Sequence, residues 1–153
     1  MPTMAGRLSL LLAGAAATAI LAAAAPASAA PLDPWRWTVR PLLIFAPRDG
    51  DPLAAEQARI LAADAAGVAE RDMAVLVVGP DRVTGVLGAE PPSADPALFR
   101  SRYGVTAGTF RAILVGKDGG VKLVSDEPVS TGRLFALIDG MPMRRREIRD
   151  RGG

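Results

Sequence analysis

The residues best suited to chemistry in this chain are a short run of charges, Arg48, Asp49 and Asp51, set around Gly50 directly after an apolar stretch. Two carboxylates and a guanidinium on a loop could move a proton or, with further oxygen ligands, hold calcium. Asp49 and Asp51 lie two apart with no further ligand pattern beside them, so no metal site is expected. Arg71 beside Asp72, and Lys117 in the segment GKDGGVK, are further charges that folding could bring near this loop. Against these candidates stand two absences. The chain has no histidine and no cysteine, so the usual general base, the commonest metal ligand and all thiolate chemistry are missing. No catalytic residue is assigned, and no cofactor is implied.

Each candidate also has a purely structural explanation. Asp51 followed by Pro52 is a helix start, with the carboxylate capping free amides and proline at the first helical position. That accounts for Asp51 and leaves Arg48 and Asp49 open. Arg71 and Asp72 bracket the start of an apolar run, and exposed ion pairs there contribute typically under about 1 kcal/mol. Lys117, Asp118, Gly119 and Gly120 lack the upstream glycine of a phosphate loop and lead into a hairpin instead of a helix. A second group, Met141, Met143, Arg144, Arg145 and Arg146, could form a contact surface, because methionine adapts to varied partners. Its structural explanation is a helix stop at Met141–Pro142–Met143, followed by a basic tail over 144–153 that is either a solvated terminal helix or frayed. In that tail Arg146 would pair with Asp150, and Glu147 with Arg151, at helical spacing.

The elements that must position these residues follow from apolar periodicity and punctuation. Val39 to Ala46 reads as a strand buried on both faces. The helix opened by Asp51 and Pro52 runs to about Gly67, with Leu53, Ile60, Leu61 and Val68 on its apolar face. Met73 to Val78 is a second strand, and the strand–helix–strand order predicts a parallel pair. Asp95 and Pro96 open a short helix that Gly104 ends. Phe110 to Val115 is a third strand, joined through Gly116–Gly120 to a fourth, Val121 to Val124. Ser130 or Thr131 caps a last helix carrying Leu134, Leu137 and Ile138.

The first 30 residues have the makeup of a cleaved signal peptide. Arg7 is the only charge, Leu8 to Ala25 is uncharged, and Pro26 precedes Ala27–Ser28–Ala29, a small-x-small cleavage pattern. The expected product is exported, periplasmic or secreted, with no membrane span after cleavage. Losing Arg7 lowers the formal charge from +2 to +1, which gives no reason to expect nucleic acid as a partner. The remaining 120 or so residues suffice for one domain over 31–143 without disulfide support.

Read end to end, the order is strand, helix, strand, helix, strand, strand, helix, which is that of the thioredoxin core. YGVTAGTFRAILVGKDGG, Tyr103 to Gly120, resembles the stretch of thioredoxins and peroxiredoxins that enters the third core strand and turns through a hairpin. The cis-proline expected near Gly108 or Thr109 is missing, as are the cysteines expected between Pro47 and Leu53. Thiol oxidoreductase and cysteine peroxidase activity are thereby excluded. More specifically, RPLLIFAP, ERD, GKDGGVK and IDGMPMRRRE are similar to a family of secreted domains known as domain of unknown function 4174, a domain also found in vertebrate sushi-repeat extracellular proteins. The resemblance implies an α/β, thioredoxin-like three-layer sandwich with a mixed four-stranded central sheet and flanking helices. It brings no established reaction.

The leading expectation is therefore a non-catalytic binding module with an envelope or extracellular protein partner. The alternatives are a thiol-independent enzyme using Arg48, Asp49 and Asp51 with Arg71 or Lys117, and an accessory protein of redox homeostasis.

Overall fold

A computed structural model describes residues 30–153. The leader expected over residues 1–30 falls, except for Ala30, outside the described residues. Strand β1, Arg40–Phe45, is buried at all six positions, as its unbroken apolar run predicts. It pairs in parallel with β2, Met73–Val78, in register from Arg40 opposite Met73 to Phe45 opposite Val78. Two helices connect them. Asp51 accepts hydrogen bonds from the Leu53 and Ala54 amides and starts α1, Pro52–Ala62. The single helix expected to Gly67 is interrupted at Ala63 and Asp64, where the Asp64 carboxylate accepts from the Gly67 amide and starts α2, Ala65–Glu70.

The sheet has five strands, where four were expected. The additional strand, β3 at Val83–Leu87, pairs antiparallel with β2 at the sheet's edge. Thr84 and Gly85 interrupt its apolar pattern and it is only partly buried, because an edge strand needs no continuous apolar face. After α3, Pro96–Tyr103, and a left-handed Gly104, β4 at Arg111–Val115 returns antiparallel to β1. The hairpin expected next is present, with β5 at Val121–Ser125. The strand order is β3-β2-β1-β4-β5.

Alternate residues of the central strands feed two cores. Leu42, Ile44, Val75 and Leu114 face α1, α2 and α4, the last at Thr131–Asp139, which contribute Leu61, Val68, Leu134 and Ile138. Leu43, Phe45, Leu76 and Ile113 face the other way, toward Phe99 of α3 and Trp35 of a short 3-10 turn at Asp33–Trp35. The result is an open mixed sheet with helical segments on both faces. Leu53, expected on the buried face of α1, is 43% exposed. Gln57 is buried instead, its amide both donating to the Val129 carbonyl and accepting from the Val129 amide, so its burial leaves no bond unmade.

Of the two forms expected for residues 144–153, a solvated terminal helix or a frayed tail, the helix is found, but docked onto the domain. Residues Pro142–Arg151 form a fifth helix, α5, and the boundary expected at Met143 falls inside it. Proline reads as a stop after α4, but it equally starts a new helix because its missing amide is one that the first turn leaves unpaired anyway. Among the described residues, no helix is long and apolar enough to cross a membrane.

Candidate functional site

Strand directions separate the candidate charges. The loop Arg48–Asp51 leaves the finishing end of β1, whereas Arg71 and Asp72 precede β2 and Lys117 follows the antiparallel β4. The last three therefore lie at the end of the sheet where β1 starts. The site expected to combine Arg48, Asp49 and Asp51 with Arg71 or Lys117 is not assembled. Within the loop, Asp51 is buried as the α1 cap, while Arg48 and Asp49 are exposed. Asp49 meets Arg82 at 3.8 Å in an ion pair open to water. The hollow beside the loop, about 220 Å³, is lined by Arg48, Asp49 and Asp51 together with Ala46, Ala54, Ala55 and Ala58; Asp51 is spent on the α1 cap, and Arg48 and Asp49 are exposed to water.

At the opposite end, Arg71, Asp72 and Lys117 join a dense ionic network. Arg40, the first residue of β1 and 1% exposed, grips Glu147 of α5 with both terminal nitrogens, Nη2 to Oε1 at 2.9 Å and Nη1 to Oε2 at 3.2 Å. Lys117 donates to the same Glu147 oxygen at 2.7 Å and to Asp72 at 2.9 Å. Arg144, also 1% exposed, donates to Asp139 and Glu70. Arg71 donates to Asp139 at 3.1 and 2.7 Å and lies 4.1 Å over the Phe135 ring. Arg151 reaches Asp72 at 3.4 Å. Arg144, Glu147 and Arg151 fall three and four residues apart, so one side of α5 carries every contact. The internal pairs expected for a tail, Arg146–Asp150 and Glu147–Arg151, are absent among the described residues, because Glu147 and Arg151 are engaged across the domain.

Burial alone would push the Glu147 carboxyl up. The hydrogen bonds and charges of Arg40 and Lys117 outweigh it and hold the group at about 2, against an ordinary 4.5. Burial likewise opposes the charge on Asp139, yet Arg71 and Arg144 keep its carboxyl below the ordinary range. Both carboxylates stay ionised and occupied, and neither is poised to take a proton near neutral pH. The network is a fastening.

What it fastens is a hollow of about 400 Å³ between α5 and the β4–β5 turn. Trp37, Met141, Pro142 and Met143 form its apolar walls, and Arg40, Lys117, Asp118 and Lys122 also line it. Trp37 is 59% exposed and holds a left-handed backbone, φ 69°, with its amide donating to the Lys117 carbonyl at 2.6 Å. A bulky side chain in that conformation is strained, at a cost of order 1 kcal/mol or more. Arg36 lies 5.5 Å from its ring centroid. Sequence reasoning singled out Met141 and Met143 but missed Trp37, for which the signal was a second tryptophan two residues after Trp35 in a polar stretch. Of the arginines grouped with the methionines, Arg144 is buried, whereas Arg145 and Arg146 are exposed.

No solved structure shows significant similarity to this chain. The chain is 30% identical over 133 residues to Coiled-coil domain-containing protein 80 of Danio rerio, covering 76% of this chain and 15% of that much longer protein. A family match spans residues 31–147 and so takes in the hollow and the network through Glu147; the chain belongs to the family described as Domain of unknown function (DUF4174).

Proposed function

We propose that this protein is an exported, thioredoxin-like domain that binds another protein of the envelope or exterior and catalyses no reaction of its own. The leader pattern supports export. The thioredoxin-like reading is supported by the sheet order β2-β1-β4-β5 that is left when the edge strand β3 is set aside, and by the element order around it. In such a core the cysteines would follow β1, where this chain has Asp51 capping α1 and no sulfur.

The observation that carries the binding reading is Trp37. An aromatic side chain held exposed, on a strained backbone, at the mouth of an apolar hollow loses stability that a purely structural residue would retain. Tryptophan and methionine are also over-represented where proteins contact one another. Photo-crosslinking tests it, with the reactive residue placed at position 37 and, for comparison, at position 49, in cells that export the protein. A discrete protein adduct from position 37 and none from position 49 is expected. No adduct from either, or equal adducts from both, would overturn the reading. An adduct with an oxidoreductase or its substrates would specify the accessory role in redox homeostasis.

A further inference from the structure

The hollow and its rim hold more positive charge than their surroundings neutralise. The network sets five cations, Arg40, Arg71, Lys117, Arg144 and Arg151, against four carboxylates, Glu70, Asp72, Asp139 and Glu147, an excess of one. Lys122 is matched by Asp118 at 2.9 Å. Arg146 lies one helical turn beyond Met143 and extends the same side of α5. Among the described residues, Arg145, Arg146 and Arg149 are exposed and pair with no carboxylate. The Arg36 guanidinium, against Trp37, donates only to the Asp118 carbonyl. On the floor, Nε of buried Arg40 has no partner. Lys117 has three donors, of which carboxylates take two.

Apolar walls flanked by two cations without carboxylate partners, Arg36 beside Trp37 and Arg146 one turn from Met143, fit a ligand that is apolar at one point and anionic beside it. Building on the binding reading above, we infer that the hollow docks an acidic segment of the partner protein. One apolar side chain of that segment sits between Trp37 and the two methionines, and its neighbouring carboxylates lie over Arg36 and Arg146. A recess of about 400 Å³ suits a single side chain. An anionic membrane would instead require an apolar ridge that projects. The surrounding charge also speeds encounter with an acidic segment and disfavours a basic one.

The test titrates the purified protein with short synthetic peptides, each acidic and carrying a single Leu, Met, Phe or Trp, alongside copies with every Asp and Glu replaced by Asn and Gln. Binding is read by calorimetry and, for the peptides without Trp, by tryptophan emission, with Trp37→Ala giving the contribution of Trp35. At least one acidic peptide is expected to bind, about tenfold more tightly than its neutral copy, with the advantage fading as salt rises from about 0.15 M to about 1 M. Trp37→Ala and Arg146→Glu should each abolish most of the binding, and a circular-dichroism melt separates this from unfolding. Failure of every acidic peptide, equal binding of the neutral copies, or binding only to phosphatidylserine vesicles would overturn the inference. The wider binding reading would still be decided by the crosslinks at position 37, so the two can fail separately.

Discussion

Where β1 finishes, Asp51 caps a helix and its neighbours Arg48 and Asp49 are exposed at the edge of a shallow hollow that they line together with four alanines. Where β1 starts, similar residue types form a lattice of charge-assisted bonds around two arginines that are each 1% exposed. The difference is one of reach. At the first end each carboxylate interacts within a few residues or with an exposed partner, while at the second Arg40 meets a residue 107 positions away. Charges adjacent in sequence thus say little about which will be buried together. A buried pair makes each partner depend on the other, because removing one leaves a charge uncompensated in a low-dielectric setting.

The largest expected effect follows from that dependence. Glu147→Ala should destabilise the protein by about 3–5 kcal/mol in urea unfolding, since it strips Arg40 of its carboxylate and Lys117 of one of two. A loss below about 1 kcal/mol would make the network as weak as a surface pair. The same contact predicts a pH dependence. Glu147's folded value of about 2 lies below its ordinary 4.5, so the stability it contributes is fully present above pH 4.5 and is lost as pH falls toward 2. The interval corresponds to about 3 kcal/mol. The stability gap between wild type and Glu147→Gln should therefore close over that range, measured by denaturant melts at each pH.

Smaller effects distinguish the remaining features. Trp37→Gly should be more stable than Trp37→Ala by about 1 kcal/mol, because glycine takes a positive φ without strain. Asp51→Ala should cost about 1 kcal/mol through loss of the α1 cap. Asp49→Asn, at the exposed end, should change stability by less than about 0.5 kcal/mol. If Asp49→Asn proved as costly as Glu147→Ala, the contrast between the two ends would fail.

Most of the scaffold was legible in the residues. The apolar runs gave β1, β2 and β4, and Asp–Pro pairs marked the starts of α1 and α3, because those signals act over a few residues. β3 was missed because Thr84 and Gly85 leave an edge strand little pattern to read. The buried face of α1 was misread at Leu53 and Gln57, where a long-range bond to Val129 made a polar side chain the better core residue. α5 was read as a solvated terminal helix or frayed tail because its arginines and acids have suitable local spacing, and its docking onto the domain was missed. Their true partners, Arg40, Glu70 and Asp72, lie far back in the chain. A charged residue opening an otherwise apolar strand, Arg40 before PLLIF, was the one clue to them.

The tie between Arg40 and Glu147 also imposes an order in time. It joins the first strand to the last helix, and closing so long a loop brings no reward until the intervening sheet exists. On a ribosome it cannot begin before α5 has emerged, so the start of β1 stays open to water until then. The last helix is then a clasp, the final piece to close. Its release would also take away the Met141–Pro142–Met143 wall of the Trp37 hollow.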